Sequence, residues 1–359
     1  MPGGRSYPQL GVLIVGMDPG IDHSRGHRVL DAAQAIGAQW IRIGFIWALA
    51  NPQRDTYHFE EFDWIIGQSV ARGLRILPVV MFTPTWASSH PQDLAPYRYP
   101  PTSQQVGSFA SPLGTQGTGY DYLYRFAYFI ASRYRDQIDH WELWNEPDMA
   151  SSLKDGNGNG SSADEYARML AYFARGIHDG SPNAQVVLGG LADQPQEPNC
   201  DPTYLKRILG DPVYPAGENF DVHNIHTNFR SPEDIQSQIR RNRDILNYNG
   251  LGGKDLWITE TSYTPVSQFQ ILPGYQGGET GFNRYIQDVL TLELNSEAEV
   301  VFWASLHDAA PDTPEDDPYK YSGLYTYDLR IKEGGRIFRN LAQRARARTR
   351  NLFPLLFTK

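Results

Sequence analysis

The sequence predicts a single closed (β/α)8 barrel. Three observations lead there: eight short apolar runs recur along the 359 residues, amphipathic helical patterns separate them, and long loops follow particular runs. Strands that alternate with helices form parallel sheets, and eight such units close on themselves rather than leave an open sheet. A chain of this length would ordinarily divide into two or three domains, but this architecture folds as one unit over a wide range of lengths. No internal repeat, biased linker or second apolar unit interrupts the pattern. Residues 1–359 therefore read as one domain, with a barrel core over about 10–345 and a short C-terminal tail.

The expected strands are Gly11–Gly16, Trp40–Trp47, Arg75–Phe82, His140–Asn145, Gln185–Gly190, Phe220–Ile225, Asp255–Thr259 and Glu299–Ser305. Between them, Phe62, Ile65, Ile66 and Val70 fall on one face of a second helix, and a third, about Tyr120 to Arg135, is aromatic on its buried side. Ser162 and Glu165 have the spacing of a capping box, and Ser231 before Pro232 supplies an N-cap followed by proline at the first helical position. A last helix runs from about Gly335 to Arg348. The long loops are Thr83–Gly119 after the third strand, Pro265–Gly278 after the seventh and His307–Gly323 after the eighth. Loops after strands line the active face of this fold, so an extended cleft is expected.

Composition narrows the function classes. With 32 basic and 41 acidic residues the net charge is −9, which repels a polyanion, so no nucleic-acid partner is expected. Apolar residues make up 40% and charged residues 20%, which excludes a disordered chain. Cys200, the one cysteine, allows no intramolecular disulfide. The apolar run Leu10–Met17 is too short to span a bilayer, so no membrane association is expected. The N-terminus carries no signal-peptide pattern; a chain whose export signal had been removed would read the same way, which leaves the compartment open.

Two strand ends carry the chemistry. Trp141-Glu-Leu-Trp-Asn-Glu-Pro-Asp148 ends the fourth strand with Glu146 beside Asn145, and Pro147 cannot continue the ladder. Leu256-Trp-Ile-Thr-Glu-Thr-Ser-Tyr263 ends the seventh with Glu260. Both glutamates stand where this fold presents reactive groups. Two carboxyl groups facing one another are the apparatus of glycoside hydrolysis, at ~5–5.5 Å for retention of configuration and ~6.5–9.5 Å for inversion. Single glutamates at these places could equally cap a strand or pair with arginine; the pair points to a carbohydrate substrate.

These motifs resemble clan A of the retaining glycoside hydrolases, and Trp-Asn-Glu-Pro-Asp with Ile-Thr-Glu-Thr-Ser-Tyr-Thr-Pro is most similar to glycoside hydrolase family 39, whose members include β-xylosidases, α-L-iduronidases and exopolysaccharide endoglycosidases. The resemblance spans about residues 10–345. It implies Glu146 as acid/base, Glu260 as nucleophile, and Asn145 holding the sugar 2-hydroxyl. It also implies that Arg42, in Trp40-Ile-Arg-Ile43, holds the nucleophile ionised, since an adjacent cation lowers a carboxyl pKa. His226 matches the histidine of the sugar site, Trp303 its aromatic floor, and Trp86 a second platform with Trp47 and Tyr99 behind it. The usual tyrosine beside the histidine is replaced by Thr227 and Asn228, for which Tyr263 or Tyr275 could compensate. No metal or organic cofactor is implied.

The competing readings are an exo-acting β-xylosidase-like enzyme, a family 5 type endoglucanase and a carbohydrate-binding barrel without catalysis. The chain ends with its eighth helix and shows no accessory β-sandwich, which favours endo action over a β-xylosidase. Asp155–Gly160 begins like a calcium loop, but Tyr166 stands where a bidentate Glu is required, so it reads as a loop. Asp308–Asp317 and Arg344–Arg350 read as solvated segments, the apolar tail Asn351–Lys359 as packing on the barrel or a partner, and His223 as a structural histidine.

Overall fold

The computed structural model describes residues 8–114, 116–158 and 160–352, with backbone only over 348–352. The strands are β1 (Gln9–Leu13), β2 (Trp40–Ile46), β3 (Arg75–Met81), β4 (His140–Asn145), β5 (Gln185–Gly190), β6 (Val222–His226), β7 (Asp255–Thr261) and β8 (Val300–Ala304). They pair in sequence order, all parallel, and β8 closes on β1, which is the predicted (β/α)8 barrel. Around it lie α1 (His23–Ala35), α2 (Trp47–Ala50), α3 (Glu60–Ala71), α4 (Gly119–Arg133), α5 (Ala163–Gly180), α6 (Tyr204–Leu209), α7 (Pro232–Tyr248), α8 (Glu279–Leu294) and α9 (Glu333–Leu352). The largest boundary shift is in β1, which starts at Gln9, paired with Val300, and ends at Leu13; β6 starts two residues later and β7 runs two residues further than expected.

Side chains on a strand alternate between faces, and here the alternation sorts the core into two parts. Trp40, Leu77, Val187, Val222, Trp257, Val300 and Phe302 form a separate cluster that fills the barrel interior, with Trp40 edge-on to Trp257 at 5.0 Å. The outward-facing positions join the helices in one large surrounding core. Two residues further along the same strands, Arg42, Asn224 and Thr259 stand above the aromatic floor as the next inward layer. The barrel is thus plugged below and polar above, and its chemistry is confined to the C-terminal ends of the strands.

Helix details differ from expectation in instructive ways. On α3, Phe62, Ile65, Ile66 and Ser69 are buried while Val70 is 40% exposed, because the fourth core position is one residue earlier on the helical face. The expected capping box at Ser162 does not form: its hydroxyl donates to the Pro147 carbonyl at 3.0 Å and meets the Tyr204 hydroxyl at 3.1 Å, tying α5 to the loop after β4. The capping box occurs instead at Thr118 and Asp121, opening α4. Ser231 caps α7 with Pro232 in its first turn, as expected. Thr118→Ala should lower stability by about 1 kcal/mol in denaturant titration while Val70→Lys changes it little; equal losses would contradict these assignments.

Candidate active site

The site is built where the strands leave regular geometry. On β4, strict alternation would turn Asn145 away from Glu142, but Trp144 and Glu146 adopt left-handed backbone at φ 69° and 45°. Asn145 is thereby turned to the same side as Glu142, and both reach Arg42. On β7, the ladder jumps from Ile225–Ile258 to His226–Glu260 against β6, and from Ile258–Val301 to Thr261–Trp303 against β8. This bulge inserts one residue, so Glu260 turns inward directly after the inward Thr259. Phe82, Asp193 and Phe229, beyond the ends of β3, β5 and β6, are also left-handed. Each such residue costs on the order of 1–3 kcal/mol, and they gather at one end of the barrel.

Arg42, 2% exposed, lies at the centre. Its Nε and Nη2 donate to the two oxygens of Glu142 at 2.8 Å each, Nη2 also donates to Asn145 Oδ1 at 2.8 Å, and Nη1 donates to Glu260 Oε1 at 2.7 Å. Burial alone would lower the pKa of the guanidinium; the paired Glu142 and Glu260 outweigh that and raise it. The second oxygen of Glu260 accepts from Asn228 Nδ2 at 3.0 Å. Burial raises the Glu260 carboxyl, but the His226 and Arg42 charges with the Asn228 and Arg42 hydrogen bonds bring it below its ordinary value.

A second arm runs from Glu142 to Glu146. Glu142 Oε1 also accepts from Gly190 N–H and Asn224 Nδ2, both at 3.0 Å. With its amide nitrogen committed there, Asn224 presents Oδ1 to the Thr259 hydroxyl, which donates at 2.9 Å. Thr259 has then spent its only hydrogen and must accept from His226 Nε2 at 3.1 Å, which fixes the proton on Nε2. Nδ1 is left facing Glu146 Oε1 at 2.9 Å and Glu260 Oε2 at 3.7 Å. Burial pulls the His226 pKa down, and the two carboxylates opposite it more than reverse that, so the net direction is up. Gly190 makes the arrangement possible: a Cβ there would stand 2.1 Å from His226 Nε2. One oxygen of Glu146, Nδ1 of His226 and one oxygen of Glu260 all lie within 4.8 Å of one another.

The structure therefore brings Arg42, Asn145, Glu146, His226 and Glu260 together. Trp303 is not among them. As the residue after inward Phe302 it points outward, is fully buried against Phe282 and Tyr285 of α8, and donates its indole N–H to the Ser322 carbonyl at 2.9 Å. Trp86 is half-buried in a cluster with Trp47 and Tyr122, its N–H bonded to the Asn51 carbonyl, and no hydrogen bond links it to the carboxylates among the described residues. Tyr263 and Tyr275 do not compensate for the missing tyrosine: Tyr263 is stacked on Tyr285, and Tyr275 lies edge-on to both and donates to Asp288 on α8, while Asn228 takes the contact with Glu260. His223 is buried against Asn242, with its pKa lowered to about 4 by burial.

Sequence reasoning missed Glu142, Asn228, Thr259 and Asp148. Asn224, His226 and Asn228 alternate along β6 and its exit, a period-2 series that marks one inward face even though His223 and Thr227 between them are polar too. Asp148 accepts from the Ala192 and Asp193 N–H groups at 3.0 and 2.8 Å and so ties the loop after β4 to that after β5; burial lifts its pKa to about 6. In the Asp155–Gly160 loop, the Asp155 carboxylate accepts from the backbone N–H of Asn157 and Gly158, and position 159 lies outside the described residues. In the Asp308–Asp317 stretch Asp308 is buried and held by Lys332, while Asp312, Glu315 and Asp316 are exposed as expected of a solvated loop, and Lys320 Nζ donates to the carbonyls of Pro311 and Thr313 and to Glu315. Arg344 and Arg346 are exposed, and Arg346 donates to the Ala38 carbonyl; the side chains of residues 348–352, and the tail 353–359 altogether, lie outside the described residues. Two surface cavities of about 750 and 890 Å³ flank α6, and neither is lined by Glu146 or Glu260.

No family model and no curated protein matches the sequence. The fold does match solved structures. They include a family 39 glycoside hydrolase from Bacteroides cellulosilyticus WH2, at 16% identity over 94% of this chain and 64% of that one with a TM-score of 0.64. Another is GH5_18 from Streptomyces cattleya in complex with GlcNAc, at 14% identity over 96% and 81% of the two chains with a TM-score of 0.69. A third is an exo-β-1,4-mannosidase from Opitutaceae bacterium strain TAV5, at 16% identity over 96% and 60% with a TM-score of 0.63. The chain thus spans less than two thirds of the length of the first and third. The common element is the barrel, and all three of these neighbours are glycoside hydrolases by name.

One buried acid lies just behind the site. Glu293 on α8 is fully buried, accepts from the Thr227 hydroxyl at 2.8 Å, and has no salt bridge among the described residues. Burial raises its pKa to about 8. An acid whose folded pKa lies above its unfolded value of about 4.3 is neutral in the fold, so stability is full below that value and falls as pH rises toward 8. Glu293→Gln removes the penalty. Its melting temperature should exceed that of the wild type by several degrees at pH 7.5 and by almost nothing at pH 4 in scanning calorimetry; an equal offset at both would refute the assignment.

Proposed function

We propose that the protein is a retaining glycoside hydrolase that cleaves an oligo- or polysaccharide by double displacement. The observation that carries this is the approach of a Glu146 oxygen and a Glu260 oxygen to within 4.8 Å across the barrel mouth. That closeness supports retention, since an inverting mechanism places a water between carboxyl groups set further apart.

Glu260, ionised beside Arg42 and steadied by Asn228, attacks the anomeric carbon. Glu146 gives a proton to the departing oxygen, and the covalent glycosyl-enzyme forms. The 2.9 Å contact with His226 Nδ1 holds Glu146 in place for that transfer. Water then enters, Glu146 takes its proton as general base, and the sugar leaves with its configuration retained. Asn145 has its carbonyl oxygen committed to Arg42, so its amide N–H is the group available to a sugar 2-hydroxyl. No step calls on a cofactor.

Internal cutting of a longer chain is the mode we favour. What supports it is the presence of aromatic pairs beyond strands on opposite sides of the barrel, Phe82 with Tyr97 after β3 and Phe229 with Tyr319 after β6 and β8. Such pairs suit sugar rings on both sides of the cut bond. A binding barrel without catalysis has no use for the Arg42–Glu260 pair, whose effect is to keep a nucleophile charged.

Reducing-sugar release from a panel of polysaccharides and aryl glycosides tests the proposal. Wild type should be active, Glu260→Gln should fall to background, and Glu146→Gln should lose about 10²–10⁴-fold. Proton NMR of the first product should show the starting anomer, and oligosaccharides rather than monosaccharides should appear first. Activity that survives Glu260→Gln, or an inverted first product, would overturn the mechanism; monosaccharide alone would overturn the internal cut.

A further inference from the structure

Asp18 follows β1 and is half-buried. Its carboxylate takes part in no hydrogen bond and no salt bridge among the described residues, and burial raises its pKa with no neighbouring group to offset that. The other carboxylates at this end of the barrel differ. Glu142 and Glu260 are held by Arg42, and Glu146 meets His226. A carboxylate removed in part from water and given no protein partner is free to take one from a ligand.

Gly44 shows where that carboxylate points. On β2, Trp40 fills the barrel interior and Arg42 stands above it, while Ile43 and Phe45 face the helix layer. The register of β2 against β3 is unbroken, so position 44 faces inward, two residues and ~7 Å along the strand beyond Arg42. A Cβ at Gly44 would stand 3.1 Å from Asp18 Oδ1 and 3.3 Å from Ile46 Cδ1. The place that an inward side chain would fill above Arg42 is thus taken by the Asp18 carboxylate and the tip of Ile46. Gly44 and Ile46 both keep partial exposure, and Ile46, the next inward residue, belongs to neither core cluster. An unpaired acceptor and a bare aliphatic group lie side by side at the open mouth. A sugar ring suits both, with hydroxyls on its edge and C–H bonds on its face.

We infer that Asp18 binds substrate and sets its class: the carboxylate accepts hydrogen bonds from two adjacent hydroxyls of a sugar that bears no acid group, and it turns acidic sugars away. The inference rests on the reading of the barrel as a glycoside hydrolase. An ionised carboxylate only accepts, and its two oxygens match two neighbouring hydroxyl donors. Hydrogen bonds to a charged acceptor are the stronger ones, and a ligand that lacks the hydroxyl leaves the carboxylate enclosed without a partner. The same charge works against anions. Arg42 is already divided between Glu142 and Glu260, so a uronic acid brings a further carboxyl group to a mouth that holds those of Asp18, Glu146 and Glu260.

The test is calorimetric titration of Glu260→Gln protein, which does not consume its ligand, with cellobiose, mannobiose and xylobiose, then with deoxy analogues and the uronic acid counterpart of whichever binds best. Adding Asp18→Ala should weaken the best disaccharide about 10–100-fold. Removing one of the two hydroxyls should cost a similar factor when Asp18 is present and little when it is alanine, because the two losses share one contact. The uronic acid should bind more weakly than the neutral sugar, and Asp18→Asn, which keeps the shape and drops the charge, should narrow that gap. Gly44→Ala, which crowds Asp18 Oδ1, should weaken binding as well. Thermal midpoints should stay near the parent, since no protein contact of the carboxylate is lost. Unchanged affinity in Asp18→Ala, equal deoxy losses with and without Asp18, or tighter binding of the uronic acid would overturn the inference while leaving an active enzyme a hydrolase. Asp18-dependent binding in a protein whose wild type hydrolyses nothing would count against the hydrolase reading alone, and binding of no sugar at all would overturn both.

Discussion

The guanidinium of Arg42 is the group on which the site depends. A buried cation is costly unless it is paired and fully hydrogen-bonded, and this one is locked bidentately on Glu142 with its remaining edge on Glu260 and Asn145. Both functional arms start from it. Directly, it charges Glu260. Indirectly, by committing Glu142 as an acceptor, it fixes the Asn224 amide, the Thr259 hydroxyl and the Nε2 proton of His226 in turn, which leaves Nδ1 for Glu146. In the proposed mechanism, two glutamates of the same chemistry are thus given opposite tasks by one cation and the order of donors around it.

This arrangement needs side chains that a regular strand would not supply. A strand places every second residue inward, so Asn145 beside Glu146, or Thr259 beside Glu260, could not both face the mouth. The left-handed Trp144 and the bulge in β7 change the parity at those points. Such conformations persist only where the surroundings over-determine them, and the barrel does so from below with the cluster of Trp40, Trp257 and Phe302, and from outside with the helix layer. Local rules are broken where function is built, and the regular parts bear the strain.

That also explains what was legible in the sequence. Eight apolar runs gave the strands, and the carboxylates at the ends of two of them gave Glu146 and Glu260, because a charge that ends an apolar run is visible without knowing the fold. Arg42, Asn145 and His226 came from a family likeness, and the structure puts each in contact with one or both of the carboxylates or with Arg42. Contacts that depend on parity were hidden. Trp303 failed because outward and inward are one residue apart, and Phe302 had taken the inward place. Asn228 stands where the family likeness leads one to expect a tyrosine, and that likeness gives no hint that its amide holds Glu260. The acidic loop after β8 is largely exposed, as its composition suggests, but the ties from Lys320 and Lys332 were hidden because those lysines lie outside the acidic stretch itself.

Glu293 shows the same logic from the other side. It is as deeply buried as Glu142 and lies behind β7, where Thr227 links it to the site: the Thr227 N–H donates to the Glu260 carbonyl at 2.8 Å and its hydroxyl donates to Glu293. No cation reaches it among the described residues, so burial governs and the acid is neutral. That neutrality is required by its neighbour. The Arg42 charge is already shared between Glu142 and Glu260, and a third carboxylate behind the same strand would push back on Glu260 through a low-dielectric wall, where the repulsion is little screened. Neutral Glu293 satisfies the Thr227 hydroxyl, and Thr227 keeps the Glu260 backbone in the bulge that aims its side chain. A buried group that costs stability at neutral pH is thus retained where it steadies the geometry of the charge-bearing strand.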